Sequence, residues 1–136
     1  MANVDKDIRS ALESQLSSVT DVPSGIAYEN VPFSPQTNVS YLEVMYIPVT
    51  RRPIVRGLNP QQRYDGIFTI NCYAPEGEGP AAADTMAKNV METFEATTKL
   101  THNATTVNID YVERSQGFID SPFYMVPVTV AWYAYN

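Results

Sequence analysis

Residues 63–100 constrain the fold more than any other stretch, because they join a strand pattern directly to a helix pattern. Four small or apolar side chains fall on one strand face by the two-residue period: Phe68, Ile70, Cys72 and Ala74. Pro75 ends the strand, since proline has no N–H for a ladder, and the glycines that follow let the chain reverse. From Pro80 onward, apolar residues recur at three- and four-residue steps. The stretch predicts a long strand, an acidic turn and a helix over about residues 80–99 that lies across the sheet.

The rest of the chain adds a second helix and further strands to this prediction. An apolar stripe over about residues 5–19 is typical of an amphipathic helix. Strand patterns cover residues 25–31, 40–49, 105–114 and 123–135. Apolar residues on both faces of 40–49 indicate a central or doubly covered strand, and Pro127 in the last strand indicates an edge or a bulge. We predict a single α+β domain, residues 1–136, with a mainly antiparallel or mixed sheet and two helices, about 5–19 and 80–99, packed on it.

Composition limits the classes of function. The 136 residues fit one domain, and no apolar run reaches the roughly eighteen residues of a membrane span. The first ten residues are polar, so we expect no signal peptide, and the single cysteine agrees with synthesis in a reducing cytosol. The formal net charge of -6 argues against a protein that reads nucleic-acid sequence, because such proteins are usually basic.

Few side chains suggest bond-making chemistry. Cys72 alternates with core positions, so we interpret it as a buried thiol rather than a nucleophile. His102 is the only histidine and has no partner at a suggestive spacing, which favours a surface residue. A cation site formed by Glu76, Glu78 and Asp84 is a weak alternative to a solvated acidic helix start. We therefore predict no enzyme, no catalytic residue, no metal and no cofactor.

Residues 50–63 form a segment of different character. They contain four of the nine basic residues, have no acidic residue, and carry prolines and a glycine typical of a loop or an extended hairpin arm. Arginines and aromatic side chains are enriched at interfaces. The predicted contact surface combines the arm with two apolar residues of a later loop: Arg51, Arg52, Ile54, Arg56, Leu58, Arg63, Phe118 and Ile119.

Three segments resemble a known family. They are residues 28–33 (YENVPF), 41–44 (YLEV) and 64–79 (YDGIFTINCYAPEGEG), the last leading into the helix at Ala83 and Asp84. Together they look like the small tail terminator, or tail completion, proteins of long-tailed bacteriophages. The resemblance covers about residues 5–94, and residues 64–79 are its most specific part. The family has no catalytic motif, so no catalytic residue is carried over.

The resemblance implies a structural virion protein made in the host bacterial cytoplasm. Such proteins form a homohexameric ring that caps the head-proximal end of the tail tube, stops its polymerisation and joins the tail to the neck. The implied partners are further copies of the chain, the tail tube protein and a neck or head completion protein. Double-stranded DNA would pass through the ring without sequence-specific binding, and we predict that Glu76, Glu78 and Asp84 line the lumen, where their charge repels phosphate.

Other functions stay open at this point. The resemblance leaves room for another phage morphogenesis protein, such as a head–tail connector, a neck protein or a tail tube subunit. A non-viral interaction module that offers an edge strand or an aromatic groove to a peptide is a second alternative. An enzyme is the third and least favoured.

Overall fold

A computed structural model describes residues 4–19, 25–36, 38–54, 61–95, 99–103 and 105–136. The described residues form two helices and seven strands. In chain order these are α1 (Val4–Leu16), β1 (Ile26–Ala27), β2 (Tyr41–Pro53), β3 (Gln62–Pro75), α2 (Ala81–Thr93), β4 (Lys99–His102), β5 (Thr105–Arg114), β6 (Phe118–Asp120) and β7 (Phe123–Tyr135). Neither helix is both long enough and apolar enough to cross a membrane.

The strands form one curled sheet in the order β1-β2-β3-β7-β5-β4, with β6 beside β7. Every pairing is antiparallel except that of β1 with β2, which makes the sheet mixed. β3 and β7, of 14 and 13 residues, lie at its centre and pair along their whole length. The α+β class predicted from the sequence is therefore confirmed.

Both helices cover the same side of the sheet. The side chains of Phe68, Ile70 and Cys72 on this side are fully buried, as the two-residue period predicts. We call this side the helix-covered face and the opposite side, which carries Thr69 and Asn71 of β3, the open face. α1 packs on β4 and β5, and α2 packs on β3 and β7. The apolar side chains that the helices bury are Ile8, Ala11, Leu12, Leu16, Ala83, Ala87 and Val90.

Both helices are shorter than predicted. α1 ends at Leu16 because Ser17 and Ser18 turn their hydroxyls onto the carbonyls of Ser14 and Gln15, at 2.6 and 2.7 Å, and so compete with the helical backbone. α2 ends at Thr93 instead of residue 99. The backbone of Phe94 leaves helical geometry, with φ of -112° and ψ of 52°, and its side chain is fully buried. The chain then enters β4, which pairs with β5.

The ends of several strands also differ from the prediction. The segment predicted at 25–31 is a strand only at Ile26–Ala27. Of the two alternatives predicted for residues 40–49, the central position is the one found: β2 lies between β1 and β3, although β1 pairs with it only at Leu42 and Glu43. It is not covered on both faces, because both helices lie on one side and Met45 on the open face is 41% exposed. Residues 118–120, predicted to lie in a loop, form β6.

Pro127 lies inside a central strand, so the predicted edge position is wrong. β7 pairs with β3 on one side and with β5 and β6 on the other. Pro127 is opposite the gap between β5 and β6, where its carbonyl accepts a bond of 3.0 Å from the Ser115 amide. Its missing N–H therefore interrupts neither neighbouring ladder.

Candidate assembly surfaces

The predicted basic arm is, in its described part, a continuation of the β2–β3 hairpin. Arg51 is opposite Tyr64 and Arg52 is opposite Arg63 in the ladder. The Arg51 guanidinium lies 5.3 Å from the ring centroid of Tyr64, and its Nε donates to Gln62 Oε1. Arg52 is exposed and makes no hydrogen bond or ion pair through its side chain with any other described residue. Arg56 and Leu58, also predicted at the interface, lie outside the described residues.

Apolar side chains flank the two exposed arginines. Ile54 is 47% exposed just beyond β2, and Val49 is 64% exposed at the point where the β2–β3 register shifts between Pro48 and Thr50. We call Val49, Arg51, Arg52 and Ile54 the hairpin end of the sheet. A mixture of exposed apolar groups and arginine is typical of a surface that a partner covers.

Arg63 differs from Arg51 and Arg52 because a carboxylate of its own sheet neutralises it. Its Nε donates to Asp65 Oδ1 at 3.0 Å, and a terminal nitrogen donates to the Tyr135 hydroxyl at 3.0 Å. Its guanidinium also lies 4.5 Å from the ring centroid of Tyr133. The bond to Asp65 is the main reason why the pKa of Arg63 rises above its ordinary value. Arg63 links β3 to β7, and its charge is already engaged.

The opposite end of the sheet is acidic. The turn after β3 contains Glu76 and Glu78, and its two glycines have positive φ, 89° at Gly77 and 79° at Gly79. The Glu76 amide donates to the Pro122 carbonyl at 3.0 Å, and the Ser121 hydroxyl donates to Glu76 Oε2 at 2.9 Å. These bonds hold the turn against the connection between β6 and β7.

The strand β6 brings apolar side chains to the same place. Phe118 is 48% exposed and is opposite Met125, while Ile119 is 62% exposed and is opposite Tyr124. Asp120, the last residue of β6, is also exposed. We call Glu76, Glu78, Phe118, Ile119 and Asp120 the acidic end of the sheet.

The three carboxylates predicted to act together are separated by their contacts. Glu76 accepts from Ser121, whereas Asp84, in the first turn of α2, accepts from an Arg114 nitrogen of β5 at 2.9 Å. That ion pair links α2 to the sheet at a half-exposed position. Within the described part of the chain, no three His, Cys, Asp or Glu side chains are grouped to hold a metal ion.

An aromatic row that the sequence analysis did not identify crosses the open face. Tyr41 and Tyr73 stack with centroids 4.5 Å apart, and Phe123 contacts both rings edge-on, at 5.2 and 5.8 Å. The loop after β1 adds Phe33, whose ring is 5.2 Å from that of Tyr41. Burial raises the pKa of Tyr41, and the nearby carboxylates of Glu43 and Asp120 raise it further. Only the cross-strand register reveals this row, since the residues are distant in sequence.

Cys72 and His102, the residues considered as nucleophile and base, lie far from each other in the fold. Cys72 is fully buried beneath the helices, and burial raises the pKa of its thiol to about 12, so it carries a proton at neutral pH. His102 is exposed on β4, at the edge of the sheet. Cys72 and His102 therefore do not form a paired nucleophile and base.

Two solved structures share the fold of this chain. One solved structure, which bears no functional name, is 21% identical over 99% of this chain and 97% of its own, with a TM-score of 0.77. A chain of the virion of a native gene transfer agent particle is 12% identical over the whole of both chains, with a TM-score of 0.65. A search of curated protein sequences gives no match.

The family described as phage tail terminator protein matches residues 7–132. The chain belongs to this family, which confirms the resemblance seen in the sequence. It is a structural protein of a phage tail, and its place is the virion.

Proposed function

We propose that the chain forms a homohexameric ring on the head-proximal end of the tail tube, where it stops polymerisation and joins the tail to the neck. The observation that carries this proposal is the family match over residues 7–132. The exposed surfaces at both ends of the sheet support it, because a protein that works by assembly must present groups for other chains to cover.

The distribution of charge and apolar groups suits a ring. A cyclic oligomer needs heterologous contacts, in which one patch meets a different patch on the neighbour. The hairpin end and the acidic end are two such patches, and they differ in sign of charge. The role requires no bond-making chemistry, in keeping with the buried thiol of Cys72 and the isolated position of His102.

The proposed partners are the tail tube protein on one side of the ring and a neck or head completion protein on the other. Double-stranded DNA would pass through the bore without base-specific contacts. Six copies, each of formal charge -6, carry a formal charge of six times -6, about -36, before counter-ions. An acidic ring repels the phosphates of DNA and so favours passage over binding.

Native mass spectrometry of the purified chain, alone and with the tail tube protein, tests the proposal. We expect a species of six times 15.2 kDa, about 91 kDa, in at least one of these samples. Electron microscopy of tube protein polymerised with the chain should show capped tubes of limited length. Long cylinders built from this chain alone would instead identify a tube subunit, and monomers that leave tube length unchanged would contradict the ring.

A further inference from the structure

We propose that the hairpin end of one copy binds the acidic end of the next copy. This inference rests on the proposed ring and adds to it the pair of surfaces that closes it. The occupant of the acidic end is therefore a second copy of this chain, presenting Arg51, Arg52 and Ile54. The acceptor comprises Glu76, Glu78 and Asp120 with the apolar pair Phe118 and Ile119.

The two ends cannot neutralise each other within one chain. β3 runs without a break from Gln62, beside the arginines, to Pro75, just before the acidic turn. Fourteen residues at about 3.3 Å each give β3 a contour length of roughly 45 Å, which is the upper limit on the distance between the ends in a curled sheet. This distance is several Debye lengths at physiological salt, so any protein partner for these charges lies on another chain.

The charges at both ends are available. Among the described residues, the side chains of Arg52, Glu78 and Asp120 take part in no hydrogen bond or ion pair, and all three are exposed. Arg63, by contrast, is satisfied by Asp65 and Tyr135. An exposed ion pair contributes about 0–1 kcal/mol, so complementarity here would set register and association rate more than affinity.

Apolar contact would supply the affinity that the charges do not. Ile54 and Val49 are exposed beside the arginines, and Phe118 and Ile119 are exposed beside the carboxylates. Each end therefore combines an apolar part with charged neighbours, an arrangement typical of interfaces with an apolar centre and a polar rim. In this assignment Glu76 and Glu78 face the neighbouring copy instead of the lumen.

A second copy fits better than a different protein because both complementary patches occur on one chain. Two different patches on identical subunits make the heterologous contact that a ring needs, and repetition of that contact continues around the ring until it closes. A hairpin end that bound the tube protein and an acidic end that bound a neck protein would be two unrelated contacts, whereas one contact between copies accounts for the complementary charges of both ends.

Disulfide trapping tests the contact. The variant Arg52→Cys with Glu78→Cys in one chain, oxidised in whichever sample forms rings, should give a ladder of covalent species ending at six chains on a non-reducing gel. Intrachain bonding is excluded, since a disulfide needs Cα atoms within about 7 Å. Cys72 is fully buried and should not interfere. Arg52→Cys with Lys88→Cys is the matched control, because Lys88 is exposed on α2, and it should give no ladder.

Charge exchange is the second measurement. Arg51→Glu with Arg52→Glu should abolish rings, as should Glu76→Arg with Glu78→Arg, and all four changes in one chain should restore them. Rings that form without the disulfide ladder would overturn this contact and leave the ring itself standing. No ring with or without tube protein would overturn both proposals. Cross-linking of the Arg52→Cys variant to the tube protein alone would overturn the contact between copies and make the tube protein the occupant.

Discussion

Tyr46 and Trp132 stack with their ring planes 8° apart and their centroids 5.5 Å apart, although β3 separates the two strands that carry them. The contact is possible because the intervening residue on β3 is Gly66, which is opposite Trp132 in the ladder. A Cβ at Gly66 would overlap a ring carbon of Trp132. The Tyr46 hydroxyl then donates to Asp5 Oδ1 at 2.9 Å, which ties α1 to the sheet.

The Gly66→Ala variant should be destabilised. Its methyl group would overlap the Trp132 ring and the Ile47 carbonyl oxygen, 2.6 Å away, and overpacking of a core typically costs about 1–3 kcal/mol. Denaturant unfolding would measure the loss. In a Trp132→Leu background, Gly66→Ala should lower the free energy of unfolding by less, because the ring that the methyl group would overlap is absent. Equal losses in the two backgrounds would contradict this explanation.

Arg63 and Arg52 are opposite each other in the ladder but should behave differently on replacement by alanine. Arg63→Ala removes bonds to Asp65 and Tyr135 and should lower the free energy of unfolding by about 1 kcal/mol. Arg52→Ala should leave stability nearly unchanged and weaken ring formation instead. Paired unfolding curves and native masses would check both, and a stability loss at Arg52 that matched the one at Arg63 would be unexpected.

Alkaline pH should reveal the buried thiol. The folded protein raises the pKa of Cys72 from 9.0 to about 12, so the folded state keeps a proton that the unfolded chain releases. The stabilisation is complete below pH 9 and is lost as pH rises from 9 towards 12. Wild type should therefore lose more stability across this window than Cys72→Ala, since the two proteins differ only in the thiol. If the unfolding midpoints of wild type and Cys72→Ala fell in parallel from about pH 8 to 11, this prediction would be wrong.

Reversing the charge of the hairpin end should alter tail length while leaving the fold intact. Arg51→Glu with Arg52→Glu changes two exposed side chains. Losing the Arg51 contacts with Tyr64 and Gln62 should cost about 1 kcal/mol, so circular dichroism should stay near wild type and the unfolding midpoint should fall only slightly. Tubes assembled with this variant should lose their length limit in electron micrographs. Lys88→Glu with Lys99→Glu makes an equal change of charge elsewhere on exposed residues and should keep tube length normal.

The sequence predicted the central elements because their patterns are local. The alternation of Phe68 and Ile70 placed the buried face of β3, and the bounds of β5 and β7 agree with the predicted 105–114 and 123–135. The error at the end of α2 depends on long-range pairing: the predicted helix runs to residue 99 because nothing local shows that Leu100 pairs with Val107.

The predicted contact residues also form two groups: those that are exposed as the sequence predicts, and one whose contacts depend on strand pairing. Arg52, Phe118 and Ile119 are exposed, as a contact surface requires, and their partners stay a prediction. Arg63 belongs to the same basic run in the sequence. Asp65 is its neighbour two residues along β3, and strand pairing adds Tyr133 and Tyr135 of β7. The Tyr41–Tyr73 stack was missed for the same reason, since only strand pairing makes those rings neighbours.

The unbroken course of β3 has a geometric consequence. One stiff strand connects the two ends of the sheet, so the angle between their outward directions follows from how strongly the sheet curls. If copies join through those ends, that angle fixes how far each subunit turns relative to the last. The twist of the backbone would then set the number of subunits in the ring. Side-chain substitutions at the contacts between copies would change how tightly the ring closes and would leave the number of subunits unchanged.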